Sequence, residues 1–104
     1  MIAGALQSDG KPQLLVRLYI AGDARNSIAA LNNLRSALAD YPAAKTNVEI
    51  IDILTDPERG LQDGIIVTPM LIRIEPAPER RVLGSLHDRL QLLAVLGLNG
   101  APHE

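Results

Sequence analysis

From Leu14 to Ala21 the chain is apolar at nearly every position, Leu14-Leu15-Val16-Arg17-Leu18-Tyr19-Ile20-Ala21. A strand with one wet face alternates apolar and polar residues. A run without alternation belongs to a strand covered on both faces, in the middle of a sheet. Gly22 and Asp23 break the run. Apolar residues then return at three- and four-residue steps, Ile28, Leu31, Leu34 and Leu38, with Asn32, Arg35 and Ser36 between them. That spacing predicts a helix over about 25–41 with a single buried stripe. Asp23 or Asn26 can cap its first amides, and Pro42 ends it, because the residue before a proline is pushed out of the α region. A β-branched run follows at 47–54, Asn47-Val48-Glu49-Ile50-Ile51-Asp52-Ile53-Leu54. Strand, helix and strand in this compass predict a right-handed crossover and parallel pairing.

The second half is patterned less decisively. Asp56 as cap, Pro57 at the first helical position and Glu58 behind it start a helix that Gly60 and Gly64 keep short. The apolar stretch from Ile65 to Ile74 fits a strand or a buried helix almost equally. Pro69 has no N–H for a ladder, so the strand is placed after it, at 70–75. Pro76-Ala77-Pro78 turns the chain, and 80–84 returns as its hairpin partner. Ser85, with Asp88 three residues on, has the form of a capping box. It opens a last helix at 86–97 whose stripe is Leu86, Leu90, Leu93 and Leu96. The order βαβαββα is that of a single thioredoxin-like α/β domain over 14–98. A flexible lead-in is expected over 1–13 and a disordered tail over 99–104.

Composition sharpens this reading. Of 104 residues 47% are hydrophobic but only 2% aromatic, Tyr19 and Tyr41, so the core has to be aliphatic. Single-stranded nucleic acid is held on aromatic platforms, which are missing. A phosphate backbone attracts excess positive charge, and the formal net charge is −2. With no cysteine, thiolate nucleophiles, disulfides and Cys-ligated metal are excluded. Met1 to Leu6 lacks the early positive charge and long apolar run of a signal peptide. The longest uncharged stretch, Leu90 to His103, holds Gln91, Asn99 and Pro102 and falls short of the ~20 apolar residues of a membrane span. A cytoplasmic protein is expected.

Candidate chemistry is sparse. The turn after the first strand, where thioredoxins keep their dithiol, reads Ala21-Gly22-Asp23-Ala24-Arg25-Asn26-Ser27. Ser27 has no base beside it in sequence, and helix capping accounts for Asp23, Asn26 and Ser27. His87 and His103 lack a partner at helical spacing and read as solvated, so no zinc site or general base is assigned. Asp52, Asp56, Glu58 and Asp63 cluster around the short helix, where capping and solvation explain them more simply than an acid–base pair does. Arg80-Arg81 could meet an anion or an acidic partner, although a solvated doublet on an edge strand is the simpler account. No Gly-rich phosphate loop is present, since Gly22 stands alone after its strand. No catalytic, cofactor-binding or metal-binding residue is assigned. Val67-Thr68-Pro69 falls where thioredoxin-like domains carry a cis proline before their third strand, and a cis bond is expected there.

Several of these strings together resemble one family, that of the circadian clock protein KaiB. They are Leu18-Tyr19-Ile20-Ala21-Gly22, Asn26-Ser27, the spacing Ala30-Leu31-Asn32-Asn33-Leu34, Ile51-Asp52-Ile53-Leu54 and Asp56-Pro57. Two more are Ile65-Ile66-Val67-Thr68-Pro69 and the long segment from Pro76-Ala77-Pro78-Glu79-Arg80-Arg81 through Val82-Leu83-Gly84-Ser85-Leu86. The resemblance implies a non-enzymatic regulator that docks on a KaiC-like RecA-type ATPase, in a circadian clock or in clock-like or stress signalling. It implies Leu54, Glu58 and Asp63 as partner-binding positions and Thr68, Pro69 and Gly84 as structural or switch positions. It also implies a metamorphic chain: a homo-oligomeric resting form, a dimer or tetramer with a family-specific fold, and a thioredoxin-like form that binds. The C-terminal half would be the part that switches. Leu61, Gln62 and Gly64 replace two acidic residues and a lysine of the family pattern, and Glu49 replaces a basic residue; these departures tell against a KaiA-type partner. The alternative is a cysteine-less thioredoxin-fold enzyme or a small-anion-binding domain, and the lack of a nucleophile or base favours the regulator.

Overall fold

A computed structural model describes residues 14–41 and 46–98. Its elements are β1 (Leu14–Ile20), α1 (Arg25–Ala39), β2 (Thr46–Asp52), α2 (Pro57–Gln62), β3 (Met70–Glu75), β4 (Arg80–Leu83) and α3 (Arg89–Leu96). They make one four-stranded sheet in the order β2-β1-β3-β4. β1 runs parallel to β2 and antiparallel to β3, and β4 closes the hairpin on β3. The parallel unit followed by a hairpin is the thioredoxin-like arrangement that the periodicity predicted. The expected segments 1–13 and 99–104, with His103, lie outside the described residues, as does Pro42.

The apolar run of β1 is used on both faces. Leu14, Val16 and Leu18 point into an aliphatic core with Ala30, Leu34, Ala37, Leu71, Val82, Leu92, Leu93 and Leu96 from α1, α3 and the hairpin. Tyr19 points to the other face, where it packs with Ile51 and Ile72 and, partly buried, Ile53, Ile65, Met70 and Ile74. The residues between carry the α2 side, so α1 and α3 share one face of the sheet and α2 covers the other.

Both long helices are rotated from the predicted stripes. In α1 the buried line is Ser27, Ala30, Leu34 and Ala37, while Ile28 is exposed. Small alanines at the line of closest approach let the helix lie against the sheet, and the larger Leu31 and Leu38 pack from its flank. Neither Asp23 nor Asn26 caps α1. Ala24 is the cap residue without a side-chain bond, and the buried Ser27 hydroxyl instead accepts the Ala21 N–H at 3.0 Å. The helix stops at Ala39, with Asp40 as its C-cap.

Nor does the capping box form at Ser85. Gly84 at φ +106° and the buried Leu86 at φ +63° hold the chain out of the helix, and Asp88 becomes the cap, accepting the Gln91 N–H at 3.1 Å. The sequence Asp88-x-x-Gln91 carries that signal too. Leu90 then falls in the exposed first turn at 76% exposure, and the buried residues of α3 are Leu92, Leu93 and Leu96. β2 also ends two residues early, because the Asp52 carboxylate takes the N–H groups of Gly22 and Leu54, each at 2.9 Å, and turns the chain. Leu34→Ala, at the centre of the core, should cost 2–5 kcal/mol in urea unfolding, whereas Leu90→Ala should stay within about 0.5 kcal/mol. Equal losses at the two positions would restore the predicted stripe.

Candidate docking surface

α2 is held to the sheet by polar side chains. Arg17 and Tyr19 project from β1 toward α2, and Glu49 projects beside them from β2, paired in register with Arg17. The Tyr19 hydroxyl donates to Asp63 at 2.5 Å and lies 3.2 Å from the Arg59 carbonyl oxygen. Arg17 donates through Nη1 to Asp63 at 3.0 Å and through Nε to Glu49 at 3.1 Å. Arg59 completes the ring, donating Nη2 to Glu49 at 2.9 Å. Two guanidiniums, two carboxylates and a phenol thus tie the middle and the C-terminal cap of a six-residue helix that could not stand alone. Gly60 lets the helix come close: a Cβ there would sit 3.1 Å from Ile53 Cγ2.

The network perturbs its members in opposite senses. The Tyr19 hydrogen bond, helped by Arg17, holds the Asp63 carboxyl below its ordinary 3.8. Arg59 first and Arg17 second hold Glu49 below 4.5. Burial, together with the bond to Asp63, pushes the Tyr19 phenol up to about 12.

At one end of the sheet the chain exposes aliphatic side chains. β1 and β2 finish there and β3 begins there, so the β2–α2 turn and the α2–β3 stretch meet at that end. Leu54 is 69% exposed, Ile66 91% and Val67 half exposed, and Leu61 stands out from α2. Glu58 is exposed in the first turn of α2. Pro69 is buried beneath them after a cis Thr68–Pro69 bond, and its carbonyl accepts the Gly84 N–H at 2.9 Å. Gly84, at φ +106°, holds a conformation that a side chain resists. Pro69 and Gly84 therefore fasten the base of this end together, one residue past the last ladder pair, Met70 with Leu83.

Ser27, in the first turn of α1, is buried, and its hydroxyl accepts the Ala21 N–H. His87 is exposed, with Nδ1 3.2 Å from the Ser85 hydroxyl. Among the described residues no three His, Asp or Glu side chains gather as metal ligands. Nor is any described helix long and apolar enough to cross a membrane.

The family model for the KaiB domain matches residues 17–98. The chain belongs to the KaiB family. It is 39% identical over 84 residues to a circadian clock oscillator protein KaiB of Prochlorococcus marinus, covering 81% of this chain and 80% of that one. To the KaiB of Rippkaea orientalis it is 36% identical over 88 residues, 85% of each chain. In shape it is similar to the N-terminal domain of Synechococcus elongatus SasA, with a TM-score of 0.68 at 24% identity over 85% of this chain and 87% of that domain. Thioredoxin of Fasciola hepatica superposes with a TM-score of 0.66 at 14% identity, covering 91% of this chain and 88% of the other. The last two likenesses are of fold alone.

Within this KaiB-family domain the residues singled out from sequence separate into two groups. Leu54 and Glu58 face outward at the sheet end, and Thr68, Pro69 and Gly84 form the floor. The Asp63 carboxylate instead turns inward onto Tyr19 and Arg17 and anchors α2. Sequence reasoning missed Arg17, Tyr19, Glu49 and Arg59, although a charge inside an otherwise apolar central strand was a signal, since it has to find a partner. It also passed over Ile66, which reads as one more apolar residue of a strand.

Both carboxylates have folded-state values below their unfolded ones, so their contribution is complete above about pH 4.5 and is lost as pH falls through the folded values. Tyr19 acts oppositely: its contribution is complete below pH 10 and lost as pH rises toward about 12. In urea titrations Asp63→Asn should cost about 1–3 kcal/mol at pH 7 and flatten the fall in stability below pH 4.5. Tyr19→Phe should remove the alkaline loss. Wild-type pH dependence in both variants would show that the network does not hold α2.

Proposed function

We propose that this chain is a non-catalytic regulator that docks, through the exposed end of its sheet, on a KaiC-like RecA-type ATPase and modulates its activity or phosphorylation, in a circadian clock or in clock-like signalling. The observation that carries this reading is the group Leu54, Ile66 and Val67, three exposed large aliphatic side chains from the two loops at one end of the sheet, whereas Ile28, Leu61 and Leu90 are exposed singly on helices. Contiguous exposed apolar surface marks interaction sites. Glu58 at its margin offers the charge that sets orientation and encounter rate. The chain has no cysteine for thioredoxin-type redox chemistry, and Ser27, in the first turn of α1, closes the loop after β1. The clock relatives support the class of process, and the KaiB resemblance supports the class of partner.

Leu54→Asp combined with Glu58→Lys should weaken binding to a KaiC-like ATPase more than ten-fold, about 1.4 kcal/mol, measured by calorimetry or pull-down. The melting temperature should barely move, because neither side chain is buried. Undiminished affinity would place the interface elsewhere. Asp63 is unsuited to this test because it also holds α2.

The same reading includes a second fold for the C-terminal half. The stretch from Leu61 to Val67 contributes only the partly buried Ile65 to a core, and Gly64 at φ +69° breaks its backbone. Fold switching needs two packings within a few kcal/mol, and a segment this lightly invested in one packing meets that condition. The first half, committed to both cores through β1, stays constant. Two slowly exchanging sets of NMR peaks confined to residues after about 55 are expected. A single set, unmoved by temperature, concentration and added ATPase, would leave one fold.

A further inference from the structure

The sheet face opposite α2 carries a second arrangement of charge that neither the docking surface nor the fold requires. Arg73 on β3 stands opposite Arg80 on β4 in the antiparallel ladder. Like charges directly opposite each other across a ladder are destabilising. Among the described residues neither arginine has an ion pair: Glu79 takes Arg81 at 2.8 Å, and Glu75, two residues along β3, takes neither. Arg73 is buried, 9% exposed, so its unpaired charge is also poorly hydrated. Its fork is oriented by backbone, with Nη1 donating to the Val95 carbonyl at 2.9 Å and Nη2 to the Pro78 carbonyl at 2.7 Å. Its buried Nε–H has no acceptor. Beside the pair lies a cavity of about 200 Å³ lined by Arg73, Arg80, Ala94 and Val95.

The contact with Val95 explains Arg73 in part. Val95 contributes one of the last carbonyls of α3, and a cation is favoured at a helix C-terminus. That leaves unexplained why the residue facing this buried cation is another arginine. An anion seated between them resolves both the repulsion and the missing counter-charge. Two guanidiniums favour a dianion over a single carboxylate, and planar forks suit the oxygens of a phosphate. The cavity is smaller than the roughly 300–1,000 Å³ of whole-ligand pockets, so it admits an anionic group rather than a complete cofactor.

We infer that Arg73 and Arg80 form a phosphate-binding site between β3, β4 and α3, fitted to inorganic phosphate or to the phosphate group of a small monoester. Arg73 is the fixed, buried half of the site. Arg80, exposed and held by no ion pair among the described residues, is the half that closes on the ligand.

Titrating the ¹⁵N-labelled full chain with sodium phosphate, against sodium chloride at matched ionic strength, tests this. Saturable shifts should gather at Arg73, Arg80, Ala94 and Val95. Arg80→Ala leaves the backbone contacts of Arg73 intact and should weaken the affinity at least ten-fold, while Arg35→Ala, on the exposed face of α1, should leave it unchanged. Glycerol 3-phosphate run in parallel separates the sources: tighter binding than inorganic phosphate assigns a monoester, and equal or weaker binding assigns the free ion. Shifts that do not saturate, that chloride reproduces, or that survive Arg80→Ala undiminished would overturn the site. So would saturable shifts centred on Arg17 and Arg59.

Discussion

β1 is one of the two inner strands, bonded to β2 on one edge and to β3 on the other, and it feeds two cores of different character. Toward α1 and α3 it presents Leu14, Val16 and Leu18 to an aliphatic interior. Toward α2 it presents Arg17 and Tyr19, whose polar ends reach Asp63 at the C-terminal cap of α2. With so few aromatic side chains, packing has to come from many small branched contacts, and a central strand that is committed on both faces is how such a core closes. The sheet order, the position of α2 and the end at which the loops gather all follow from this strand.

The two faces are stabilised by different physics. The α1/α3 face depends on area removed from water and changes little with pH or salt. The α2 face depends on a ring of partly exposed ion pairs around a buried phenol, in which each charge is worth more to the arrangement of its neighbours than to total stability. A small helix set on such a ring can be displaced at modest cost. The exposed aliphatic end of the sheet lies next to this least committed element. The exposed side chains Leu54, Ile66 and Val67 can therefore be rearranged without opening the main core.

Membership of the KaiB family and a thioredoxin-like shape are separate facts, because a shared scaffold does not carry a shared chemistry. The scaffold is shared with proteins under 20% identical to it, such as the Fasciola thioredoxin. After β1 the chain has no cysteine, and the Ser27 hydroxyl is spent on the Ala21 amide. What remains at that end is the proline floor, the Gly84 amide bonded to it, and the aliphatic surface above.

Much of this was legible in the residues themselves. The unbroken apolar run of β1, the crossover after it, the strand start just beyond Pro69 and the family strings are local properties, set by periodicity and by the missing amide of proline. Which residues face inward was not local. Ile28 and Leu90 carry the hydrophobicity of a stripe, yet tertiary packing chose Ala30 and Ala37, and moved the last cap from Ser85 to Asp88, because helix approach is limited by bulk and by the path of the preceding loop. The functional reading of Asp63 changed for the same reason. Its charge was visible in sequence, but only the fold brought Tyr19 and Arg17, more than forty residues earlier, to within hydrogen-bond distance. The facing of Arg73 by Arg80 likewise depends on hairpin register. Local propensity names the elements; long-range pairing decides which charges have to live together.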